Sequence, residues 1–137
     1  MSILVEPARV VTVQLPDLEV DCTLSTVVGD AVYIAGNNLV APAKADSQAT
    51  MPAIGVVQQK LTSTTCKVRR LGETTIFSGL TPGANYRVSE TVAGAITKDP
   101  PPAPGALPVF VYQSVGWGVS STNFAVDPDP SDRIVVF

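Results

Sequence analysis

The chain has 137 residues, of which 45% are apolar and only 15% charged, and its formal net charge is −3. This apolar content excludes a disordered chain, and no apolar run approaches the ~20 residues that a membrane-spanning helix needs. Since the sequence contains no histidine, it excludes Ser-His-Asp and Cys-His catalytic sites and histidine metal ligands. The acidic charge balance disfavours nucleic acid as a partner, because such binding depends on a basic face.

Short β-branched runs separated by turn residues dominate the sequence, and this pattern predicts strands. The first two runs are Val10–Leu15 and Leu18–Leu24. Ala31–Ile34 and Asn38–Ala41 predict a hairpin, because the glycine and asparagine between them tolerate positive φ. The other predicted strands, in chain order, are Ala53–Lys60, Thr65–Leu71, Glu73–Phe77, Tyr86–Ser89, Ala95–Thr97, Val109–Val115, Gly118–Ser120 and Asn123–Val126.

About ten short strands at a spacing of ~8–12 residues predict an all-β fold, a single compact β-barrel or β-sandwich, jelly-roll-like, with extended terminal segments. The alanine-rich segment Ala41–Met51 predicts a loop with at most one helical turn. The proline run Asp99–Pro104 predicts an extended surface crossing, since proline lacks the N–H that a sheet requires. Too little chain follows it for a second core, so we expect one domain over residues 1–137, without a secretory signal.

Two groups of side chains are candidates for a disulfide and for a metal site. Cys22 and Cys66 fit no CxxC pattern, and a disulfide between them or two buried free thiols both agree with the sequence, with the thiols favoured for a cytosolic chain. Asp127, Asp129 and Asp132 superficially resemble a calcium loop, but prolines stiffen the segment and no glycine follows, which favours a solvated loop. We therefore expect no catalytic, cofactor-binding or metal-binding residues.

The other candidate binding residues are a basic cluster and a tryptophan. On a strand, Lys67 and Arg69 face one side and Arg70 the other, an arrangement that suits a phosphate, an acidic partner or simply the wet face of the strand. The last of these is favoured. Trp117 is flanked by two glycines. An exposed ring there would suit a sugar, whereas flanking glycines indicate close backbone approach and favour a ring that fills a core or an interface.

The segment Ser78–Glu90 (SGLTPGANYRVSE) resembles the tyrosine corner of fibronectin type III domains. In that family a tryptophan precedes the corner and little chain follows it. Here the sole tryptophan, Trp117, follows Tyr86 in the sequence, and so the likeness stays local.

Three motifs carry a longer resemblance, over about residues 27–128. Gly29 to Tyr33 reads GDAVY, Leu80 to Tyr86 reads LTPGANY, and Val115 to Thr122 reads VGWGVSST. With these motifs the chain resembles the capsid cement or decoration proteins of tailed bacteriophages, and it is similar to β-rich modules of phage tail fibres. Trp117 departs from the pattern, which has a small or aliphatic residue there.

The resemblance implies a structural virion protein that binds the outside of the capsid and stabilises it by bridging major capsid protein subunits. It implies no enzymatic activity and no cofactor, with assembly in the bacterial cytoplasm. The expected partners are the major capsid protein and further copies of the chain, as a dimer or trimer, but neither nucleic acid nor a membrane. The alternative is a tail-fibre or tail-spike module that binds a receptor or a carbohydrate.

Both ends of the chain are apolar, where chain ends are usually polar and frayed. Residues 1–9 are expected to form an arm that packs on a neighbouring subunit, because Pro7 separates their apolar start from the first strand. Residues 133–137 are expected to pair as a strand within the domain. The predicted contacts to the capsid or another partner are Ile3, Leu4, Val5, Trp117 and Phe137.

Overall fold

The computed structural model describes residues 15–129 and 134–136. The first five strands of the described chain form a closed barrel. Its strands are β1 (Leu18–Cys22), β2 (Ala31–Gly36), β3 (Leu39–Pro42), β4 (Ala53–Thr62) and β5 (Thr65–Arg69). The order around the barrel is β1-β3-β2-β4-β5, and it closes because β1 pairs antiparallel with β5 and parallel with β3. The buried interior consists of small and β-branched side chains: Val20, Cys22, Val32, Val40, Val57, Cys66 and Val68.

The second half of the chain forms an open sheet and a small accessory sheet. Its strands are β6 (Gly72–Thr74), β7 (Asn85–Val88), β8 (Ile96–Thr97), β9 (Phe110–Tyr112), β10 (Ser114–Gly118), β11 (Phe124–Val126) and β12 (Ile134–Val136). Five of these strands pair in the order β6-β11-β10-β7-β8, while β9 pairs antiparallel with β12. The architecture therefore combines a barrel with an open sheet, and the predicted all-β fold is confirmed.

A second apolar core lies between the open sheet and the barrel. At its centre the ring of Phe124 makes edge-to-face contacts with Phe77 and Tyr86, at centroid distances of 5.2 and 5.6 Å. The same buried cluster includes Ala31 and Val56 from barrel strands. The sheet and the outside of the barrel thus bury one another, which is how each covers the apolar face that it would otherwise expose.

Gln113 joins the two halves through its side chain. Its amide is fully buried, donating to the Ala53 carbonyl and accepting from the Ala53 N–H, both at 2.8 Å. Gln113 stands between β9 and β10, which belong to different sheets. The prediction of one continuous strand over Val109–Val115 is therefore wrong.

Most other predicted elements are confirmed, with shifted ends. The predicted loop at Ala41–Met51 holds one 3₁₀ turn, Gln48–Thr50. The predicted strand Gly118–Ser120 is wrong, since β10 ends at Gly118 and a turn follows. Of Val10–Leu15, only Leu15 lies within the described residues, and it is not in a strand. Within the same residues, no helix has the length and apolar character needed to cross a membrane.

The LTPGANY motif forms a tight turn locked to a tyrosine. Ala84 N–H donates to the Thr81 carbonyl at 3.1 Å, and Gly83 has a φ of +79°. This is the type II turn that Pro-Gly favours. The Tyr86 hydroxyl accepts a bond from Thr81 N–H at 2.9 Å, which reproduces the tyrosine corner predicted from the sequence.

The GDAVY motif likewise forms a turn, at the entry to β2. Gly29 has a φ of +92°, and the Asp30 carboxylate accepts a bond from Val27 N–H at 3.0 Å. Burial raises the pKa of Asp30, opposed by that bond and by the positive charge of Lys60. Lys60 itself donates to the Leu24 and Thr26 carbonyls and so closes the same loop.

Replacing Gly83 tests the turn. We expect Gly83→Val to lower the free energy of unfolding by about 1 kcal/mol or more, because a β-branched residue is strained at positive φ. No atom lies within 4 Å of the added Cβ, so the loss would come from the backbone alone. Gly36→Val is the control, at a glycine of ordinary φ with nearest atoms 3.7 Å from its added Cβ. Urea unfolding that gave the two variants equal stability would contradict the turn.

Cys22 and Cys66 are free thiols inside the barrel, and both are buried. Burial raises the pKa of Cys66 to about 12, and the neighbouring Cys22 adds to the shift. A thiol of this kind is inert, because the thiolate is the reactive form. The pair therefore packs the barrel as small apolar residues do.

The raised pKa of Cys66 predicts how stability depends on pH. The unfolded thiol ionises near pH 8.5, whereas the folded thiol ionises only near 12, so folding keeps the proton. The stabilisation is complete below pH 8.5 and is lost as the pH rises towards 12. We expect the alkaline fall in unfolding free energy to be shallower in Cys66→Ala than in the natural chain. Urea titrations from pH 8 to 11 that gave parallel falls would contradict this.

Candidate partner-binding surface

A buried arginine fastens the proline-rich crossing to the outside of the open sheet. Arg87 on β7 is only 4% exposed, and its guanidinium donates to the backbone carbonyls of Asp99 and Pro100, both at 3.0 Å. It also pairs with Glu90 at 3.2 Å and stacks 5.2 Å from the centre of the Phe110 ring. Because a proline-rich segment has few N–H groups for a sheet ladder, its carbonyls provide the attachment.

Under this crossing runs a groove, whose first half is polar. It has a volume of about 480 Å³ and contains the side chains of Asn85 and Lys98. The Asn85 amide is held in place, donating to the Tyr112 hydroxyl at 3.4 Å and accepting from Ser114 at 2.5 Å. The residues of this polar half are Thr81, Ala84, Asn85, Arg87, Lys98, Asp99, Pro100, Pro101 and Tyr112.

The second half of the groove is apolar and has a volume of about 550 Å³. Its residues are Pro101, Pro102, Pro104, Phe110, Tyr112, Ile134 and Val136. Pro101 and Tyr112 line both halves, so the two cavities are neighbours. Ile134 is 59% exposed, although it is a large apolar residue. A polar cavity and an apolar cavity therefore lie side by side at this surface.

Strand β12 borders the apolar half, and one of its edges has no partner among the described residues. Among the described residues it pairs only with β9, from Ile134 opposite Tyr112 to Val136 opposite Phe110. This confirms the predicted strand at the end of the chain over the part that is described, Ile134–Val136. Its unpaired backbone groups can form a ladder with another extended segment.

Trp117 lies on the exposed face of β10, one strand away from the polar half of the groove. Its ring is 38% exposed, and its register partners are Ala125 and Asn85. The flanking glycines permit close packing, as predicted: a Cβ on Gly116 would overlap the Ala125 carbonyl, and one on Gly118 would lie 2.5 Å from the Thr81 oxygen. The ring is therefore available to a partner rather than part of a core.

The two arginines of the basic cluster bind other parts of the chain. Arg69 binds the Asp17 carboxylate through two bonds, of 3.0 and 3.2 Å, and donates to the Glu73 carbonyl at 2.6 Å. Arg70 donates to the Pro16 carbonyl at 3.3 Å. These bonds tie the segment before β1 to the end of β5, so the two arginines support the closure of the barrel.

The remaining predicted positions lie partly or wholly outside the described residues. Ile3, Leu4, Val5 and Phe137 do so, and their contacts stay predictions. Asp132 of the acidic triplet lies outside as well. Over residues 15–129 and 134–136, no three acidic or cysteine side chains come together in a way that could hold a metal ion.

The groove itself was not predicted from the sequence. The only signal for it was the coincidence of a proline run with a single arginine, Arg87, in an otherwise uncharged strand. Lys98 and Tyr112 gave no signal, because neither belongs to a motif. Ile134 reaches Tyr112 only through the pairing of β9 with β12.

The comparisons with known proteins identify no relative. No protein-family model, curated protein or solved structure matches this chain.

Removing the arginine should loosen the crossing. We expect Arg87→Met to lower the free energy of unfolding by about 3 kcal/mol, since it leaves Glu90 without its buried partner and frees the Asp99 and Pro100 carbonyls. Proteolysis at 99–105 should become faster. Lys44→Met, which breaks the exposed pair with Asp46, is the control and should change stability by less than about 1 kcal/mol. Equal effects of the two substitutions would show that Arg87 does not attach the proline-rich crossing to the open sheet.

Proposed function

We propose that this protein is a non-enzymatic structural protein of a tailed bacteriophage, which binds the outside of the capsid and bridges neighbouring major capsid protein subunits. It would act by burying apolar surface at subunit seams and so resist the internal pressure of packaged DNA. Its location would be the virion, after assembly in the host cytoplasm.

The observation that carries the proposal is the apolar half of the groove, beside the edge of β12 that has no partner among the described residues. Exposed apolar surface that continues into an unpaired strand is typical of a surface that docks a partner chain. The body that presents it is rigid, since Gln113 and Arg87 fasten its parts through buried hydrogen bonds. A protein that holds capsid subunits together needs a rigid body of this kind. The three motifs supply the link to phage proteins, by resemblance.

One observation favours the alternative, a carbohydrate- or receptor-binding module of a tail appendage. The ring of Trp117 is exposed next to the amide of Asn85, and an aromatic face beside a fixed amide is suited to a sugar. A glycan array separates the two functions. Specific binding of a saccharide that is lost in Trp117→Ala would support the alternative and count against the capsid proposal.

Deleting residues 1–5 tests the proposed arm. We expect the melting temperature of the isolated protein to stay nearly unchanged, while its co-sedimentation with empty capsids of the same phage becomes weaker. The reason is that burial of Ile3, Leu4 and Val5 against a neighbour contributes several kcal/mol, at ~25 cal/mol per Å² and less the cost of ordering the segment.

The matched variant keeps the full length and replaces the same three residues with serine. It should weaken attachment as the deletion does, since the apolar side chains supply the contact. The proposed arm is wrong if either variant unfolds, or if both bind capsids as tightly as the natural chain.

A further inference from the structure

A separate cavity lies where the ends of barrel strands meet the end of a strand of the open sheet. Its volume is about 430 Å³, and none of its lining residues lines either half of the groove. Strands β1 and β4 begin at this cavity, while β5 and β11 end directly before residues that line it. Its apolar walls are Leu15, Leu18, Ile54, Leu71 and Pro128. Cavities at the junction of two packed parts of a protein are frequent ligand sites.

One hydrogen-bond donor at this cavity has no acceptor. Arg70 is a lining residue, and its Nε is buried without a hydrogen-bond partner. In the described part of the chain Arg70 forms no ion pair with Asp127, the other charged residue of the cavity. An unpaired buried N–H is rare in native proteins and is costly when the group is charged. An oxygen acceptor that entered the cavity would therefore gain a strong bond.

The acceptor that suits Arg70 best is a carboxylate. Nε and Nη2 lie on one edge of a guanidinium, and a carboxylate accepts from two such donors in a bidentate pair. Nη2 donates to the Pro16 carbonyl with one of its two hydrogens, so the other stays available. A phosphate would bring up to two negative charges to a cavity that Asp127 also lines, whereas a carboxylate brings one.

The walls of the cavity determine the rest of the ligand. Leu18 and Ile54 line it and also pack against the barrel core, so they are fixed in position. Leu15 is 38% exposed, and a ligand would cover part of its side chain. Each methylene that leaves water against such walls adds to the affinity. The volume is at the small end of the range for ligand cavities, ~300–1,000 Å³, which suits an aliphatic tail of modest length.

We propose that this cavity binds an aliphatic monocarboxylate, whose carboxylate pairs with the Nε edge of Arg70 and whose tail packs against Leu18, Ile54 and Leu71. When the ligand enters, the guanidinium turns its Nε towards the cavity. This turn strains only the bond to Pro16, which is already long at 3.3 Å. The site is independent of the proposed function, because it uses neither the groove nor β12.

Octanoate is the probe for this site. It is added to the full-length protein at pH 7.5, and binding is followed by the NMR shifts of the backbone amides. We expect saturable binding with a Kd of about 0.1–1 mM, ordinary for a ligand of this size. The largest shifts should occur at Leu18, Ile54 and Leu71. Octanamide, which has the same tail without the charge, and octyl phosphate should each bind about tenfold more weakly.

Substitutions test the role of Arg70. Arg70→Met keeps an apolar stem but removes the guanidinium, and we expect it to weaken octanoate binding about tenfold. Lys67→Met is the matched control: it removes one positive charge from the same basic cluster, at a residue that does not line the cavity, and should leave the affinity unchanged. Leu15→Asp places a carboxylate at an exposed wall position, where it should weaken octanoate about tenfold without unfolding the protein.

The melting temperatures of the ligand-free variants show whether each is folded, and Leu15→Asp decides the matter if Arg70→Met is not. Octanoate that fails to saturate by about 10 mM, or shifts that lie away from the cavity, would overturn the inference. Equal binding of octanoate and octanamide would overturn it too, since the guanidinium would then take no part. Tighter binding of octyl phosphate would replace the carboxylate with a phosphate. Equal losses in Arg70→Met and Lys67→Met would reduce the effect to net charge and reject the site.

Discussion

The two hydrogen bonds between the Gln113 amide and the Ala53 backbone fix how the barrel and the open sheet meet over the apolar core that they share. Gln113 is completely buried, so its amide would cost several kcal/mol without partners, and Ala53 satisfies both of its polar ends. Ala53 begins β4 of the barrel, whereas Gln113 separates β9 from β10. The Gln113 side chain therefore bonds to Ala53 as a neighbouring strand would. Its position also determines where β9 lies, and β9 lines the apolar half of the groove.

The groove depends in turn on the way in which the proline crossing is attached. Prolines cannot join a ladder through N–H groups, so the crossing would remain loose unless another part of the molecule bound its carbonyls. Arg87 does this from below, with Glu90 balancing its charge. The same arrangement keeps the prolines apart from the sheet, and it leaves Tyr112 and Ile134 open to a ligand. The bonds from Arg87 thus both hold the crossing in place and keep it away from the side chains of the groove.

Sequence patterns predicted what local chemistry determines. The all-β class and the hairpin of β2 with β3 depend on residues close together in the chain, and so does the local likeness of Ser78–Glu90 to a tyrosine corner. The break at Gln113 was missed because its apolar and β-branched neighbours outweighed one polar residue whose partner, Ala53, is remote. The groove was missed for the same reason, since its two halves are lined by residues that are far apart in the sequence, Lys98 and Tyr112 in one and Tyr112 and Ile134 in the other. Whether the Trp117 ring is buried could not be predicted, because it depends on which face of β10 carries the side chain, and its contact to a partner stays a prediction.

The closure of the barrel by β1 and β5 has a consequence for how the chain folds. Leu18 pairs with Val68, so the first strand stays without this neighbour until β5 has left the ribosome. Pairing between such distant segments is slow, because the entropy of the intervening loop is lost before the contacts form. Both thiols face the barrel interior and are shielded only when that last seam closes. During synthesis there is consequently an interval, before the barrel closes, in which Cys22 and Cys66 are open to oxidation.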